Sequence, residues 1–293
     1  MSDYLGYADK VCVVTGAASG MGRALTEILV DFGAKVYAID RVESPIPGVT
    51  RSIVANLGDK DSIDEVFAGL PDTIGAFFGV AGVAGVHNTF LETMTVNYIA
   101  NKYITDTYLG DRLAEGGSIT FVTSNGGLRW ELPGLREELV PFTQTVGWAE
   151  LVGVTEDFNA EFGGELPGFR GYILSKRALN LLVAEQAGPL AGLRKIRINA
   201  VLPAMTVSGM IGDFAEMRGG MDKLEESSIG PAGRLAEAVD MARVLTFLGS
   251  DLAGYVSGAH LSVDFGMNSL ELAGLKPDRL RWTMRDALSA QPA

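Results

Sequence analysis

One glycine-rich stretch decides the fold of this 293-residue chain: Thr15-Gly16-Ala17-Ala18-Ser19-Gly20-Met21-Gly22. It lies between a predicted strand, residues 11–15, and a segment with helical spacing, residues 23–32. Glycines let the backbone turn tightly and approach a bound group closely, and a helix N-terminus offers free N–H groups and partial positive charge. The stretch therefore favours a strand–turn–helix unit that binds a pyrophosphate. The alternative is a plain tight turn between a strand and a helix.

Short apolar runs alternate with longer helical patterns along the rest of the chain. The predicted strands are residues 11–15, 35–39, 51–55, 76–80, 118–123, 196–201 and 260–263. Strands that alternate with helices form βαβ units, which give a parallel sheet with helices on both faces and right-handed crossovers. We find no internal repeat and no low-complexity linker. We therefore predict a single α/β domain over residues 1–293, a doubly wound parallel sheet of about seven strands.

The composition narrows the choice of partners and compartment. The net charge of −12 repels phosphate backbones and anionic lipid surfaces, so we expect no nucleic-acid and no membrane partner. The single cysteine, Cys12, lies in an apolar run and is expected to be an inert buried thiol, which fits a reducing cytoplasm. Residues 1–10 do not resemble a signal peptide, and no apolar run is long enough for a membrane helix. His87 and His260 lie far apart without a metal-ligand motif, so we expect no metal.

An acidic residue follows the second predicted strand. Asp40 comes 18 residues after Gly22, where a carboxylate can accept hydrogen bonds from the adenine ribose and repel a 2′-phosphate. This favours NAD over NADP, although the adjacent Arg41 weakens the argument. The alternative for Asp40 is a solvated turn residue.

A tyrosine and a lysine are spaced for one helix face. Tyr172 and Lys176 are four residues apart, and a cation beside a phenol favours the phenolate, so the pair suits proton transfer between an alcohol and a carbonyl. Ser124 ends the fifth predicted strand, at the edge where open α/β sheets bind ligands. Asn97 falls in the predicted helix that precedes the fifth strand. The alternatives are a surface i,i+4 pair for Tyr172 and Lys176 and a buried backbone-bonding amide for Asn97.

Taken in order, these motifs resemble the short-chain dehydrogenase/reductases, over roughly residues 8–267. The matching segments are residues 15–22, Asp40, Val80-Ala81-Gly82, Val96-Asn97, Ser124, Tyr172 with Lys176, and Ile198-Asn199-Ala200-Val201-Leu202-Pro203. The resemblance implies a Rossmann-like fold, an NAD cofactor and a homo-oligomer.

The resemblance also assigns roles to residues. Tyr172 becomes the acid/base, Ser124 orients the substrate, and Lys176 binds the nicotinamide ribose and tunes Tyr172. Asn97 would hold a water in a proton relay. The implied cofactor contacts are Gly16, Ser19, Gly20, Met21, Gly22, Asp40, Arg41, Asn56, Leu57, Ala81, Gly82, Tyr172, Lys176, Pro203 and Thr206.

Four residues at three places depart from the family pattern. Gly79-Val80-Ala81-Gly82 replaces the usual Asn-Asn-Ala-Gly, Asn56 replaces an acidic residue that often meets adenine, and Ala204 replaces a glycine. These changes concern cofactor geometry and remove no proton-transfer group.

The 48-residue spacing from Ser124 to Tyr172 is long for the family. It resembles the bacterial 3α-hydroxysteroid dehydrogenase/carbonyl reductase branch, which implies a bulky apolar secondary alcohol or ketone. Bacterial coniferyl-alcohol dehydrogenases, which act on an aryl-allylic primary alcohol, are the alternative. A nucleotide-sensing protein without catalysis is a third hypothesis, but it has no need of Ser124, Tyr172 and Lys176 together.

Three further segments have predicted roles. Residues 204–234 form a candidate substrate flap, with glycines for movement and apolar residues at roughly helical spacing. The apolar residues are Met205, Met210, Ile211, Phe214, Met217 and Met221. An amphipathic helix packed on the core is the alternative. Apart from Arg234 at its end, the only cations in this segment are Arg218 and Lys223, which disfavours a small, strongly anionic substrate.

Residues 128–168 form an inserted helical segment that either roofs the site with Trp130, Phe142, Trp148 and Phe158 or shapes a subunit interface. Residues 268–293 form a C-terminal tail, with a short amphipathic helix at 278–288 and partial disorder at its end.

Overall fold

A seven-stranded parallel sheet forms the centre of the molecule in a computed structural model that describes residues 4–164 and 166–289. The strand order is β3-β2-β1-β4-β5-β6-β9. The strands are β1 (Val11–Thr15), β2 (Lys35–Asp40), β3 (Arg51–Val54), β4 (Ile74–Gly79), β5 (Leu113–Val122), β6 (Arg197–Pro203) and β9 (His260–Val263). A separate two-stranded pair joins β7 (Thr206–Val207) to β8 (Ala236–Glu237). The predicted fold class, a single doubly wound α/β domain, is confirmed.

The predicted and observed strands agree except at their ends. The bounds of β1 and β9 coincide with the prediction, whereas β5 begins five residues earlier, at Leu113. Leu113 pairs with Ile74, and the register then shifts before Ser118 pairs with Ala76. Gly116 and Gly117 lie in this irregular part, where the apolar pattern that marks the strand is interrupted.

Helices cover both faces of the sheet. They are α1 (Gly20–Asp31), α2 (Lys60–Ala68), α3 (Phe90–Met94), α4 (Ala100–Ile104), α5 (Gly110–Arg112), α6 (Pro133–Gln144), α7 (Trp148–Glu161), α8 (Gly168–Arg194), α9 (Ile211–Arg218), α10 (Met221–Ser228), α11 (Ala238–Gly249), α12 (Met267–Leu272) and α13 (Met284–Ser289). Helices α1 and α11 pack together on one face, and α3, α4 and α8 on the other. Two π-helical turns, Thr95–Ile99 and Thr105–Leu109, flank α4.

The C-terminal tail is anchored by two buried arginines. Arg129 donates to Asp278 at 2.6 Å and to Asn268 at 2.8 Å. Arg177 on α8 donates to the carbonyls of Trp282 at 2.9 Å and Leu280 at 2.8 Å. These bonds hold residues 268–282 of the tail against the rest of the domain, while the expected disorder concerns the end of the tail, where residues 290–293 lie outside the described part of the chain.

The expected helix at 278–288 is wrong in its extent, because only α13 is helical there and residues 278–283 have no regular secondary structure. Glu138 caps the N-terminus of α13, because its carboxylate accepts from the backbone N–H of Met284 at 2.9 Å. The side chain of Leu288 and residues 290–293 lie outside the described part of the chain.

The burial of Cys12 and the length of the helices can be compared with the sequence-based expectations. Cys12 is fully buried, as predicted, and burial raises the pKa of its thiol to about 12, which keeps it protonated and unreactive. Within residues 4–164 and 166–289, no helix is both long and apolar enough to span a bilayer.

Candidate active site

The glycine-rich loop joins β1 to α1 and has room only for glycine at two positions. Gly16 has a φ of +70°, and a Cβ there would lie 2.8 Å from the Cα of Ala81. A Cβ on Gly22 would lie 2.0 Å from the carbonyl oxygen of Gly16. The backbone at the start of α1 thus stays open, and its first N–H groups fit an anionic pyrophosphate.

The loop is tied to the neighbouring strands. Thr15 Oγ1 accepts from the backbone N–H of Val80 at 3.1 Å and of Ala81 at 3.2 Å. Asp40 accepts from the N–H of Ala18 at 2.9 Å and of Arg41 at 2.6 Å. Each carboxylate oxygen keeps a lone pair for a further donor such as a ribose hydroxyl. Asp40 is thus part of the loop structure, and the alternative of a solvated turn residue is wrong.

The far end of the predicted nucleotide site lies after β3. Leu57 is buried, and Asn56 is exposed with its Oδ1 accepting from the N–H of Gly58 at 3.0 Å. The predicted contact of Asn56 with adenine stays a prediction.

Ser124 and Tyr172 meet at the carboxyl end of the sheet. Ser124 follows β5, begins a 3-10 turn (Asn125–Gly127), and accepts from the N–H of Gly126 at 3.0 Å through its Oγ. Tyr172 lies in the first turns of α8. Burial raises the pKa of the Tyr172 phenol, and the hydrogen bond with Ser124 partly offsets this by favouring the phenolate.

Lys176 lies one turn further along α8 and is only 4% exposed. Its ammonium donates to the carbonyl of Val122 at 3.0 Å and lies 5.6 Å from the centroid of the Tyr172 ring. Burial lowers the pKa of Lys176 to about 8. The pair is therefore a buried cation beside a phenol, and the alternative of a surface pair is wrong.

Asn97 lies in the first π-helical turn and is fully buried. Its Oδ1 accepts from the N–H of Val83 at 2.8 Å, and its Nδ2 donates to the carbonyl of Val83 at 3.0 Å. Both ends of the amide are thus occupied by the backbone after β4, and the Asn97 carbonyl accepts from Asn101 at 3.0 Å. The Asn97 side chain is thus a buried amide that bonds backbone, as the alternative for this residue states, and its role in a water-mediated proton relay stays a prediction.

A cavity of about 760 Å³ opens beside Tyr172. Seven of the predicted site residues line it: Met21, Gly82, Ser124, Tyr172, Lys176, Pro203 and Thr206. Gly16, Gly22 and Asp40 do not line this cavity: Gly16 follows β1, Gly22 lies in α1 and Asp40 ends β2. No group of three or more potential metal ligands occurs among the described residues.

The predicted flap forms one side of the cavity. It lies between β7 and β8, whose pairing holds its two ends together. Met205, Met210, Phe214 and Met217 line the cavity, and the Phe214 ring lies edge-on to Tyr172 with centroids 5.5 Å apart. Ile211 and Met221, the other two apolar residues expected there, are not part of the wall.

The inserted segment does not roof the cavity with its aromatic residues. Phe142 packs against Tyr98, Phe158 against Phe90, Trp148 against Tyr103, and Trp130 against His260. These contacts cover α3, α4 and the end of the sheet. The wall is completed instead by the C-terminal tail, through Lys276, Pro277, Arg279 and Leu280. Sequence reasoning missed this, because no local motif indicates contacts between segments 100 or more residues apart.

The site combines a glycine-rich dinucleotide loop with a serine, a tyrosine and a buried lysine on one cavity. This combination is typical of one class of protein, the nucleotide-dependent alcohol/carbonyl oxidoreductases. Two family models match the chain: short chain dehydrogenase over residues 10–132 and enoyl-(acyl carrier protein) reductase over residues 154–268. Together they span most of its length. The chain belongs to the short-chain dehydrogenase/reductase family.

Relatives and solved structures agree with this. A coniferyl-alcohol dehydrogenase of Pseudomonas sp. strain HR199 is 28% identical over 89% of this chain and 97% of its own. A 3-alpha-hydroxysteroid dehydrogenase/carbonyl reductase of Comamonas testosteroni is 25% identical over 89% and 97%. The crystal structure of the 3-alpha-hydroxysteroid dehydrogenase from Pseudomonas sp. B-0831 complexed with NADH shares the fold, with a TM-score of 0.73 at 24% identity, over 90% of this chain and 99% of that one.

Proposed function

We propose that the protein is an NAD(H)-dependent oxidoreductase that interconverts a bulky apolar secondary alcohol and its ketone, of the hydroxysteroid type. The observation that carries the proposal is the grouping of Ser124, Tyr172 and Lys176 on one cavity that Met205, Met210, Phe214 and Met217 also line. Methionine side chains adapt to irregular apolar shapes.

The residues around the first loop fit the dinucleotide. The open backbone of Gly16, Gly20 and Gly22 would receive the pyrophosphate, and Asp40 the adenine ribose. When bound, the nicotinamide supplies the hydride acceptor or donor.

The proton chemistry belongs to the protein. In the oxidative direction Tyr172 as phenolate takes the alcohol proton, and in the reductive direction Tyr172 as phenol returns it. Ser124 donates a hydrogen bond to the substrate oxygen. The Lys176 ammonium favours the phenolate against the burial that opposes it.

An aryl-allylic alcohol is the second candidate substrate. The 28% identical relative from Pseudomonas sp. strain HR199 is named a coniferyl-alcohol dehydrogenase, and the same apolar wall suits an aromatic ring.

A spectrophotometric screen tests the proposal. Wild-type protein with NAD is offered neutral hydroxysteroids, cinnamyl-type alcohols and small hydrophilic alcohols, and the absorbance of reduced nicotinamide is followed. We expect activity on one of the first two groups. Activity confined to the small hydrophilic alcohols would overturn the assignment of substrate class.

The Tyr172→Phe variant tests the assignment of the acid/base. It removes the proton donor and little volume, so we expect turnover to fall by at least ~10²–10⁴. Nucleotide binding, measured by fluorescence of the reduced cofactor, should persist. Near-normal turnover would show that Tyr172 does not move the proton.

The cofactor preference is tested at Asp40. Wild type is expected to have the higher kcat/KM with NAD, and Asp40→Ala should narrow the difference because the carboxylate no longer repels a 2′-phosphate. A wild-type preference for NADP would contradict the assignment. Light scattering of the purified protein tests the expected homo-oligomer.

A further inference from the structure

Phe265 follows β9 and has a backbone conformation that bulky residues rarely adopt. In the part of the chain that the structure describes, four residues other than glycine have a positive φ: Asp9, Arg129, Lys195 and Phe265. Aspartate tolerates this conformation, and Lys195 ends α8 in the left-handed cap that is common at helix C-termini. Arg129 is held there by its bonds to the tail. Phe265, with a φ of +52°, has no such local reason.

The turn that carries Phe265 is fixed by the residue before it. The carboxylate of Asp264, which is only 9% exposed, accepts from the N–H of Gly266 at 3.0 Å and of Asn268 at 2.9 Å. A glycine at position 265 would adopt this turn without strain, so the phenylalanine side chain costs stability. Backbone strain of this kind is typical of positions where the side chain serves a site.

The ring of Phe265 lies on the wall of the large cavity. It is 75% exposed and lines the same cavity as Ser124 and Tyr172. An exposed phenyl ring in a concave site offers a flat apolar surface that an apolar ligand can cover. Leu272, at the end of α12, is 64% exposed but does not line the cavity. The two residues can therefore be compared, because only one of them faces the site.

A short path connects Phe265 to the reacting end of the cavity. Asn125, the residue after Ser124, donates to the carboxylate of Asp264 at 3.4 Å, and Phe265 follows Asp264 directly. A substrate whose oxygen is bonded by Ser124 therefore lies beside the strand end that carries Phe265. A large substrate held there is within reach of the ring.

We propose that Phe265 is a specificity-determining residue whose ring packs on the apolar body of the substrate, and that the fixed turn directs the ring to the cavity. The proposal rests on the proposed function and names a residue that selects large apolar alcohols over small ones. The ring contacts the substrate and the transition state alike, so it lowers KM and leaves kcat nearly unchanged. A small alcohol covers little of the ring and gains little from it.

The experiment uses two substitutions at position 265 and one control. Phe265→Gly removes the ring and the strain, and Phe265→Leu keeps an apolar side chain without the flat ring. Leu272→Ala is the control, because it removes an exposed apolar side chain from outside the cavity wall.

The probes are androsterone and cinnamyl alcohol, one for each candidate substrate class. Their binding to the NADH-loaded protein, which cannot oxidise them, is measured by calorimetry. Steady-state kinetics with NAD are measured for both probes and for 2-propanol.

We expect Phe265→Gly to weaken the binding of the preferred probe at least about tenfold and to raise its KM similarly, with kcat and the affinity for NADH unchanged. For 2-propanol, kcat/KM should change less than about twofold. Phe265→Leu should lie between Phe265→Gly and wild type, and Leu272→Ala should match wild type. Phe265→Gly should unfold at the same or a higher urea concentration than wild type, because the strain is gone.

Unchanged probe affinity and KM in Phe265→Gly, or an equal loss in Leu272→Ala, would overturn the proposal. A loss of NADH affinity with unchanged probe affinity would assign the ring to the cofactor instead. Fewer subunits by light scattering, again with unchanged probe affinity, would assign it to an interface between copies of the chain. A lower urea midpoint would contradict the strained turn.

The proposed function has a separate readout. Wild type that binds neither probe would overturn both the substrate class and the role of Phe265. Binding that depends on Phe265, without oxidation of either probe, would leave the contact standing and overturn the proposed reaction.

Discussion

The two ends of the cavity are built differently. At the nucleotide end, backbone atoms and glycines form the surface, and Thr15, Asp40 and Asn97 each bond backbone N–H groups of an adjoining loop. At the substrate end, long side chains from α9 and the tail form the wall, and most residues of α9 and α10 are exposed. The nucleotide end cannot change shape without breaking backbone contacts. The substrate end can accept substitutions of its side chains without breaking such contacts.

The difference explains why the motifs of the family lie at one end only. A nucleotide common to many enzymes is bound by backbone geometry that few sequences can supply. Substrate selection is left to side chains that vary without cost to the fold. Substitutions at the two ends should therefore differ in the size and the sign of their effects on stability and activity.

The largest effect is expected at the nucleotide end, for Gly22→Ala. The added methyl group would meet the carbonyl oxygen of Gly16 at 2.0 Å, so the loop must move. We expect the free energy of unfolding to fall by about 3 kcal/mol or more, and NAD affinity to fall with it. Urea unfolding and cofactor titration measure the two losses. A variant with wild-type stability and affinity would show that the loop is not held as described.

An intermediate effect, of opposite sign, is expected at the junction of the two ends, for Lys176→Met. An unfolded lysine keeps its proton to pH ~10.4, whereas the folded one loses it near 8. The buried charge therefore lowers wild-type stability fully below pH 8, and the penalty fades as the pH rises to about 10.5. At pH 7 the variant should be more stable by on the order of 1–3 kcal/mol, while losing activity.

Denaturant unfolding of both proteins at pH 7 and pH 10 tests this. The stability difference should shrink at the higher pH. Equal stability at pH 7, or a difference that grows with pH, would contradict the description of Lys176 as a buried cation.

The smallest effect is expected at the substrate end, for Gly212→Ala. Gly212 lies within α9, no atom lies within 4 Å of its added methyl group, and its φ is not positive. Alanine is a better helix former than glycine, so we expect a gain of about 0.5–1 kcal/mol with kcat and KM unchanged. Thermal unfolding and steady-state kinetics measure this. A loss of stability would show that α9 is not a regular exposed helix.

Much of the nucleotide end was predictable because its signals are local. The loop after β1, Asp40 after β2 and Ser124 after β5 each lie at a strand end, and the i,i+4 spacing places Tyr172 and Lys176 on one face of α8. Period-two and period-3.6 patterns give strands and helices, and the fold class gives the edge at which the strand ends meet.

The rest depends on contacts that leave no local pattern. Arg129 bonds Asp278 across 149 residues, and Arg177 bonds Trp282 across 105. The π-helical turn that carries Asn97 looks like ordinary helix in the sequence. For this reason the sequence suggested the insertion, which has the aromatic residues, as one of two alternatives for the roof of the cavity, and gave no sign that the tail lines it.

One consequence concerns the neighbour of Lys176 on α8. Arg177 is almost fully buried, and the carbonyls of Leu280 and Trp282 accept hydrogen bonds from its guanidinium. A chain that ends before Leu280 would leave this guanidinium buried without those acceptors, directly beside the lysine that serves the chemistry. Proteolysis or premature termination near the end is therefore expected to destabilise α8, the helix that carries Tyr172 and Lys176.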